Sequence, residues 1–189
     1  MYLFFDTETT GLPRNWKAPV TDLNNWPRMV QIAWILSDSL GNRIDSDDFI
    51  IKPENFTIPL DASRVHRITT ERAIKEGEEL EKVLNSFSEL VKQADFIVAH
   101  NISFDEKIMG AEFLRKDMVS RLFDNPKVCT MQKSTNFCQI SNGHGYKWPK
   151  LMELHVKLFD EEFDGAHDAL ADVKACARCF FELKNRGVL

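Results

Sequence analysis

Short apolar runs and longer amphipathic stretches alternate along this chain. A short apolar run bounded by turn-forming residues is typical of a β-strand, and an apolar stripe with a period of about 3.6 residues is typical of a helix. The runs that predict strands are Tyr2–Asp6, Met29–Ser37, Asp48–Ile51, Asp95–His100 and Lys127–Thr130. The stretches that predict helices are Glu79–Gln93, Ser103–Lys116, Pro149–Phe159 and Asp168–Lys184.

The order of these elements indicates the fold class. Three predicted strands come first, and helices then alternate with single strands, which predicts an α/β fold with a mixed sheet and a single domain over residues 1–189. The segment Leu12–Arg28 contains three Pro and two Trp without a clear period. We therefore predict a long loop beside the carboxyl end of the first strand. Its residues Trp16 and Trp26 have two interpretations, stacking on nucleic-acid bases or pinning the loop to the core.

Composition narrows the class of protein. The 189 residues include 24 Lys and Arg against 29 Asp and Glu, a net charge of −5, which argues against a protein that coats duplex DNA by neutralising phosphates. We expect a cytoplasmic protein without a membrane partner, because no basic leader precedes the first apolar run and no run reaches the length of a membrane span. The four Cys are expected to be core thiols rather than a disulfide framework or a zinc site.

Carboxylates mark the positions where chemistry is expected. Asp6 and Glu8 alternate along a strand and should therefore share one face. Asp105 follows the predicted strand Asp95–His100 in the first turn of a helix, and His167 and Asp172 flank the start of the last helix. Each residue has an ordinary alternative. The pair on the strand could be a solvated strand end, and Asp105 a first-turn acid favoured by the helix dipole. His167 could be a loop residue, and Asp172 part of a solvated helix face.

Taken together, these residues favour a metal site. Acids that crowd together need cations, and a set of oxygen ligands suits hard ions such as Mg²⁺ or Mn²⁺. Two such ions about 4 Å apart form a clamp for the displacement of a phosphodiester oxygen by water. His167 suits the role of general base, because a free imidazole changes its charge near neutral pH.

The stretches FDTETTG, VAHNISFD and HDALADV, in this order, resemble the DEDDh 3′–5′ exonuclease family, over nearly the whole chain. The resemblance implies a ribonuclease-H-like fold with a five-stranded mixed sheet whose second strand is antiparallel. It also implies that Asp6, Glu8 and Asp172 hold a first Mg²⁺ or Mn²⁺ ion, that Asp105 completes a second site, and that His167 is the base.

The same resemblance implies a set of residues that bind substrate. These are Thr7, Thr9 and Leu12 at the terminal nucleotide, with Leu12 wedged against the last base, then His66, Asn101 and Phe104. His66 lies in VHRIT, where Arg67 replaces the Gly of the family pattern, which leaves either an altered turn or a phosphate contact by the arginine. Four basic residues have two interpretations, contacts to substrate phosphates or ordinary surface positions: Lys147, Lys150, Arg14 and Lys17.

The function expected from the resemblance is a metal-dependent 3′–5′ exonuclease that releases nucleoside 5′-monophosphates from single-stranded ends, with DNA favoured and a role in repair or proofreading. Three alternatives remain: a 3′–5′ exoribonuclease, a non-catalytic module that binds a polymerase or nucleic acid, and a phosphatase with the same metal pair. A DNA polymerase is a candidate partner. The chain ends at Leu189, soon after the last predicted helix, which favours a stand-alone nuclease over a tethered one.

Overall fold

The computed structural model describes residues 1–189 and contains one five-stranded sheet. β2 is antiparallel to both β1 and β3, whereas β4 is parallel to both β1 and β5. The predicted mixed sheet with an antiparallel second strand is therefore confirmed. In chain order the strands are β1 (Tyr2–Thr9), β2 (Met29–Ser37), β3 (Arg43–Ile50), β4 (Phe96–Ala99) and β5 (Lys127–Cys129), and in space they run β3-β2-β1-β4-β5.

Eight helices connect and cover these strands. None of them combines the length and the apolar character that crossing a bilayer requires. The helices are α1 (Leu60–His66), α2 (Thr70–Glu76), α3 (Leu80–Gln93), α4 (Ile102–Arg115), α5 (Thr130–Lys133), α6 (Thr135–Cys138), α7 (Leu151–Phe159) and α8 (Ala169–Asn185).

The two faces of β1 pack against different helices, because successive side chains of a strand point to opposite sides. Leu3 and Phe5 join the largest core cluster, which includes the apolar stripes of α3 and α4. Phe4 packs instead with apolar residues of α8. Asp6 and Glu8 have the same parity as Phe4, so their side chains continue the face that α8 covers.

Two strands are longer than the apolar pattern predicts. β3 begins at Arg43 rather than Asp48, because it is an edge strand whose polar side chains stay in water while its backbone pairs with β2. β1 continues past Asp6 to Thr9, since backbone pairing with β2 tolerates the carboxylates.

Short helices were missed or misplaced by the pattern. α1 and α2 have seven residues each, too few for a helical period to show in the sequence. α7 begins at Leu151 after an N-cap at Lys150, so the prediction of Pro149 as the first helical residue is wrong.

The long loop between β1 and β2 uses its two tryptophans differently. Trp26 is 3% exposed, and its indole N–H donates to the carbonyl of Pro19 at 2.9 Å. Trp16 is 49% exposed and lies against Phe104, with ring centroids 5.7 Å apart. Trp26 therefore pins the loop to the core, and Trp16 remains available at the surface.

A buried ion-pair cluster fixes the end of this loop. Glu112 of α4 is fully buried and forms ion pairs with Arg28 at 3.0 Å and with Arg115 at 2.9 Å. Its carboxylate also accepts the main-chain N–H of Met29 at 2.9 Å. We call Arg28, Glu112 and Arg115 the arginine cluster.

The four cysteines are free and buried in the core. Cys176 packs on the α8 face of the sheet, and Cys138 and Cys179 lie in a separate apolar cluster beneath α7. Burial raises the pKa of the Cys179 thiol to about 12, so this group behaves as a small apolar side chain.

Candidate active site

Four carboxylates meet at the carboxyl end of β1. Asp6 and Glu8 project from the α8 face of this strand, and the charge of Asp172, one turn into α8, acts on both. Asp105 is 3% exposed in the first turn of α4. Helix and strand ends thus gather side chains that are far apart in the chain.

Asp105 is held by Thr7, which lies on the opposite face of β1 from Asp6. One carboxylate oxygen of Asp105 accepts the main-chain N–H of Thr7 at 3.1 Å and its hydroxyl at 2.8 Å. The hydroxyl of Thr7 therefore orients a carboxylate, a contact that sequence analysis did not anticipate for this residue.

His167 precedes α8 in an exposed loop and is tied to Asp172. Its main-chain N–H donates to Asp172 Oδ2 at 3.0 Å. Its backbone has φ of 69°, in the left-handed region that a residue with a Cβ seldom adopts. One potential ligand atom each from Glu8, His167 and Asp172 lies within 4.8 Å of the other two.

The electrostatics of the four carboxylates are those of uncompensated like charges. None of the four forms an ion pair with Lys or Arg. Burial, with the charges of Asp172 and Asp105, raises the pKa of Glu8 to about 8. Burial likewise raises the pKa of Asp105 to about 7 and that of Asp172 to about 6.

The pKa of Asp6 is also raised well above its ordinary value, first by burial and then by the charge of Asp105. A cluster that resists ionisation in this way is stabilised by a bound cation. The available donors are carboxylate oxygens and one imidazole, a set that fits hard divalent ions.

Asp168 is a fifth acid beside this cluster, and the sequence pattern placed it only at the start of the last predicted helix. It does cap α8, accepting the main-chain N–H of Ala171 at 3.1 Å. Gln31 of β2 donates from Nε2 to Asp168 at 3.3 Å and to Asp48 at 2.8 Å. The charge of Asp168 adds to the raised pKa of Asp6, Glu8 and Asp172.

A cavity of about 330 Å³ opens beside Glu8 and His167. Five of the six residues predicted to bind substrate line it. Leu12 stands at its edge, 72% exposed, while Thr9 is occupied in a bond from its hydroxyl to the carbonyl of Gly11 at 2.7 Å. The lining residues are Thr7, Glu8, Thr9, Gly11, Leu12, Ala62, Val65, His66, Phe104 and His167.

Asn101, the sixth predicted residue, does not line this cavity. It lies just before α4 in the left-handed region, with φ of 70°. Conversely, Ala62 and Val65 were missed, because they belong to α1, a helix too short to be read from the sequence.

His66 is buried, with Nδ1 accepting the main-chain N–H of Ile68 at 3.2 Å and Nε2 without a partner. The next residue, Arg67, ends α1 with φ of 62°. The arginine therefore adopts the left-handed conformation that glycine adopts without strain.

A second cavity of about 160 Å³ borders Asp6, His167 and Asp172. Lys150 lines it, whereas Lys147 is occupied by an ion pair with Glu153 at 2.6 Å. His100 was also missed: its ring bonds to Thr130 at 3.0 Å and to the carbonyl of Pro149 at 2.9 Å. The lining residues are Asp6, His100, Lys150, Leu151, Met152, Phe163, Ala166, His167 and Asp172.

A five-stranded mixed sheet with acids on its first strand, on the following α4 and on the last helix defines a ribonuclease-H-like nuclease. The chain belongs to the exonuclease family RNase_T, whose model matches residues 3–180. Within that family its features are those of the DEDDh 3′–5′ exonucleases, a class of hydrolases.

Similar proteins contain this domain as part of a longer chain. The chain is 29% identical over 181 residues to the DNA polymerase III PolC-type of Streptococcus pyogenes serotype M2, covering 95% of this chain and 11% of the polymerase. It superimposes on E. coli exonuclease I in complex with a dT13 oligonucleotide with a TM-score of 0.77 and 24% identity, covering 98% of this chain and 41% of that one.

The zinc-bound form of the complex of E. coli exonuclease I with single-stranded DNA has the same fold, with a TM-score of 0.73, 24% identity, and coverage of 98% and 40%. The chain thus spans less than half of each of these relatives.

Proposed function

We propose that residues 1–189 act as one exonuclease domain that removes nucleoside 5′-monophosphates from the 3′ ends of single-stranded nucleic acid, with DNA favoured over RNA. The observation that carries the proposal is the cluster of four carboxylates without a cationic partner, beside a cavity of about 330 Å³ that His167 also lines. The oligonucleotide complexes of E. coli exonuclease I support the choice of DNA.

The carboxylates would hold two divalent cations, Mg²⁺ or Mn²⁺. Asp6, Glu8 and Asp172 suit the first ion, and Asp105 suits the second. When bound, such ions neutralise the cluster, make water more acidic and stabilise the charge on the departing oxygen. Thr7 would keep Asp105 oriented throughout, because it donates two hydrogen bonds to one oxygen and leaves the other free.

His167 would accept the proton of the attacking water. Its ring faces both Glu8 and Asp172, and its loop is exposed, so the proton has a path to solvent. The hydrogen bond from its main chain to Asp172 sets the position of the base relative to the carboxylates.

The cavity beside Glu8 would hold the terminal nucleotide. Leu12 and Phe104 offer apolar surface to a base, and Trp16 extends that surface from Phe104 toward the preceding nucleotide. Contacts of this kind tolerate any base, as an exonuclease requires. Thr9 would contribute through its main chain, because its hydroxyl is already bonded. Thr7 would contribute through Asp105, because its main-chain N–H and its hydroxyl both donate to that carboxylate.

The test is a time course on matched 5′-labelled DNA and RNA oligomers with Mg²⁺, Mn²⁺ or EDTA. We expect a metal-dependent ladder that shortens from the 3′ end, faster on DNA. Asp6→Asn and Asp172→Asn should abolish it, whereas Asp124→Asn, an exposed acid in the loop before β5, serves as the matched control. Faster shortening of RNA than of DNA would contradict the preference for DNA. Near wild-type turnover by Asp6→Asn or Asp172→Asn would overturn the metal assignment.

His167→Ala should slow cleavage by about 10²–10⁴-fold at saturating substrate, since that is the usual contribution of a general base. A loss of less than about threefold, with metal binding intact by calorimetry, would remove His167 from the mechanism.

The likeness to a segment of PolC-type polymerases favours a second proposal, that the domain works beside a DNA polymerase. Cleavage of a primer with a mismatched 3′ end, compared with a matched primer while a polymerase extends both, tests this proposal. Equal loss of both primers would contradict it.

A further inference from the structure

The loop that carries His167 is fastened by a residue outside the site. His155 of α7 is 1% exposed, and both of its ring nitrogens are hydrogen-bonded. Nδ1 contacts the main-chain carbonyl of Glu161 at 2.8 Å, and Nε2 contacts the guanidinium of Arg178 on α8 at 3.1 Å. A carbonyl only accepts and a guanidinium only donates, so Nδ1 is the donor and Nε2 the acceptor in these two hydrogen bonds.

Arg178 also holds the side chain of Glu161, the loop residue whose carbonyl His155 contacts. Arg178 donates to Glu161 Oε1 at 2.6 Å, and its guanidinium lies 3.8 Å from the ring centroid of Phe159. The ring of His155 also packs against Phe163 of the loop, with centroids 5.2 Å apart. We call His155, Glu161 and Arg178 the clasp, because together they hold the main chain and the side chain of the loop's first turn.

Beyond the clasp, the loop has little other support. Residues 164–167 are exposed, and Gly165 and His167 both have positive φ, at 81° and 69°. The loop's remaining anchors are the bond from the main-chain N–H of Asp168 to the carbonyl of Gly165 at 3.0 Å and the bond from the main-chain N–H of His167 to Asp172 at 3.0 Å. Phe163, which the clasp holds, lines the same cavity as Asp6 and His167. A movement at the clasp is therefore passed along a few residues to the ring of His167.

We propose that His155 is a positioning residue that, through its hydrogen bond to the main chain of Glu161, sets the loop in which His167 acts. This inference rests on the proposed role of His167 as general base. Misplacing a catalytic group by about 1 Å can cost about 10²-fold in rate, so a residue that never touches substrate can still govern turnover.

Three substitutions separate the contacts of the ring. His155→Phe keeps the aromatic packing and removes both hydrogen bonds. His155→Asn retains a donor near the position of Nδ1, and His155→Gln retains an acceptor near the position of Nε2. We expect kcat to fall by about 10–10²-fold in His155→Phe with KM nearly unchanged, and His155→Asn to remain closest to the wild type.

A double-mutant cycle with His167→Ala distinguishes positioning from general damage. If His155 acts through His167, His155→Phe should change kcat by less than about twofold in the His167→Ala background. An equal loss in both backgrounds would overturn the proposal. Arg186→Met is a control for general damage to the packing of α7 on α8. Arg186 pairs with Glu182 of α8 at 2.7 Å and donates to the main-chain carbonyl of Leu158 of α7 at 3.0 Å, away from the loop.

Amide hydrogen exchange on the metal-free protein gives a readout that is independent of activity. His155→Phe should accelerate exchange in residues 162–167 and leave β1 unchanged, and unaltered exchange in the loop would overturn the proposal. If His155→Phe folds poorly, Arg178→Met at a half-exposed position loosens the same clasp. A wild-type protein that cleaves no oligomer would overturn the proposed function and this inference with it, whereas an active enzyme with an additive cycle would overturn the inference alone.

Discussion

Buried and half-buried carboxylates occur at two places in this protein, and their charges are compensated in opposite ways. In the arginine cluster, Glu112 is fully buried between Arg28 and Arg115 and also accepts a main-chain N–H. In the candidate active site, Asp6, Glu8, Asp105 and Asp172 are crowded together with no arginine or lysine paired to them.

The two places differ in what offsets the cost of removing a carboxylate from water. A buried carboxylate is costly unless it is paired, and Glu112 is paired within the chain. The site carboxylates share their burial with like charges, which raises the pKa of each of the four. Their compensation must come from solution, as cations or as protons.

The largest effect is expected from breaking the arginine cluster. Glu112→Ala leaves two arginines partly buried without their carboxylate, and should lower the free energy of unfolding by about 3–5 kcal/mol. Denaturant unfolding followed by circular dichroism measures this loss. A change below about 1 kcal/mol would show that the cluster contributes no more than an exposed ion pair.

Metal binding should stabilise the folded protein through the site carboxylates. Mg²⁺ or Mn²⁺ at about 100 times its dissociation constant should raise the free energy of unfolding by about 2.7 kcal/mol, because only the folded chain assembles the four carboxylates. The shift should vanish in Asp6→Asn and persist in Asp124→Asn. A melting temperature that does not respond to either metal would contradict the proposed metal site.

Protons should compensate the site carboxylates when no metal is bound, so the free energy of unfolding should depend on pH. The raised pKa values of Asp172, Asp105 and Glu8, about 6, 7 and 8, mean that the folded, metal-free chain binds more protons than the unfolded chain between about pH 4 and 8. This contribution to stability is complete below the unfolded values and is lost as the pH rises through 6 to 8.

The measurement is the difference in unfolding free energy between the wild type and Glu8→Gln across this window, which isolates the site from other titrating groups. The metal-free wild type should lose stability relative to Glu8→Gln as the pH rises. Added Mg²⁺ should reverse that trend, because metal binding requires ionised carboxylates. A flat difference without metal would mean that the pKa of Glu8 is not raised.

The smallest effect concerns an arginine without a carboxylate partner, in contrast to Arg28 and Arg115. Arg67 is exposed with φ of 62°, so Arg67→Gly should raise the free energy of unfolding by about 1 kcal/mol. If Arg67 contacts a substrate phosphate, the same variant should raise KM for oligonucleotides and weaken its dependence on salt. Gln139→Gly, at a comparable helix end with φ of 53°, is the control that should stabilise without changing KM.

The sequence predicted those strands and helices whose apolar side chains follow the period of the element. The apolar run of β2 and the stripes of α3 and α4 are visible because burial selects them residue by residue. The first half of β3 was not predicted, because an edge strand is specified by pairing with β2 rather than by apolar side chains. α1 was missed for a related reason: the packing of its Ala62 with Val30 and Ile68, rather than its length, stabilises it.

The same division applies to the site. The sequence alone predicted which residues carry chemistry, because Asp6 and Glu8 alternate on a strand and the stretches around Asp105, His167 and Asp172 resemble motifs of the exonuclease family. Only the tertiary structure decided that Thr7 orients Asp105, that Asp168 adds a fifth charge, and that His155 fastens the loop of His167. The physical reason is that hydrogen bonds and electrostatic interactions act over a few ångströms in space, between residues whose separation along the chain carries no record of their contact.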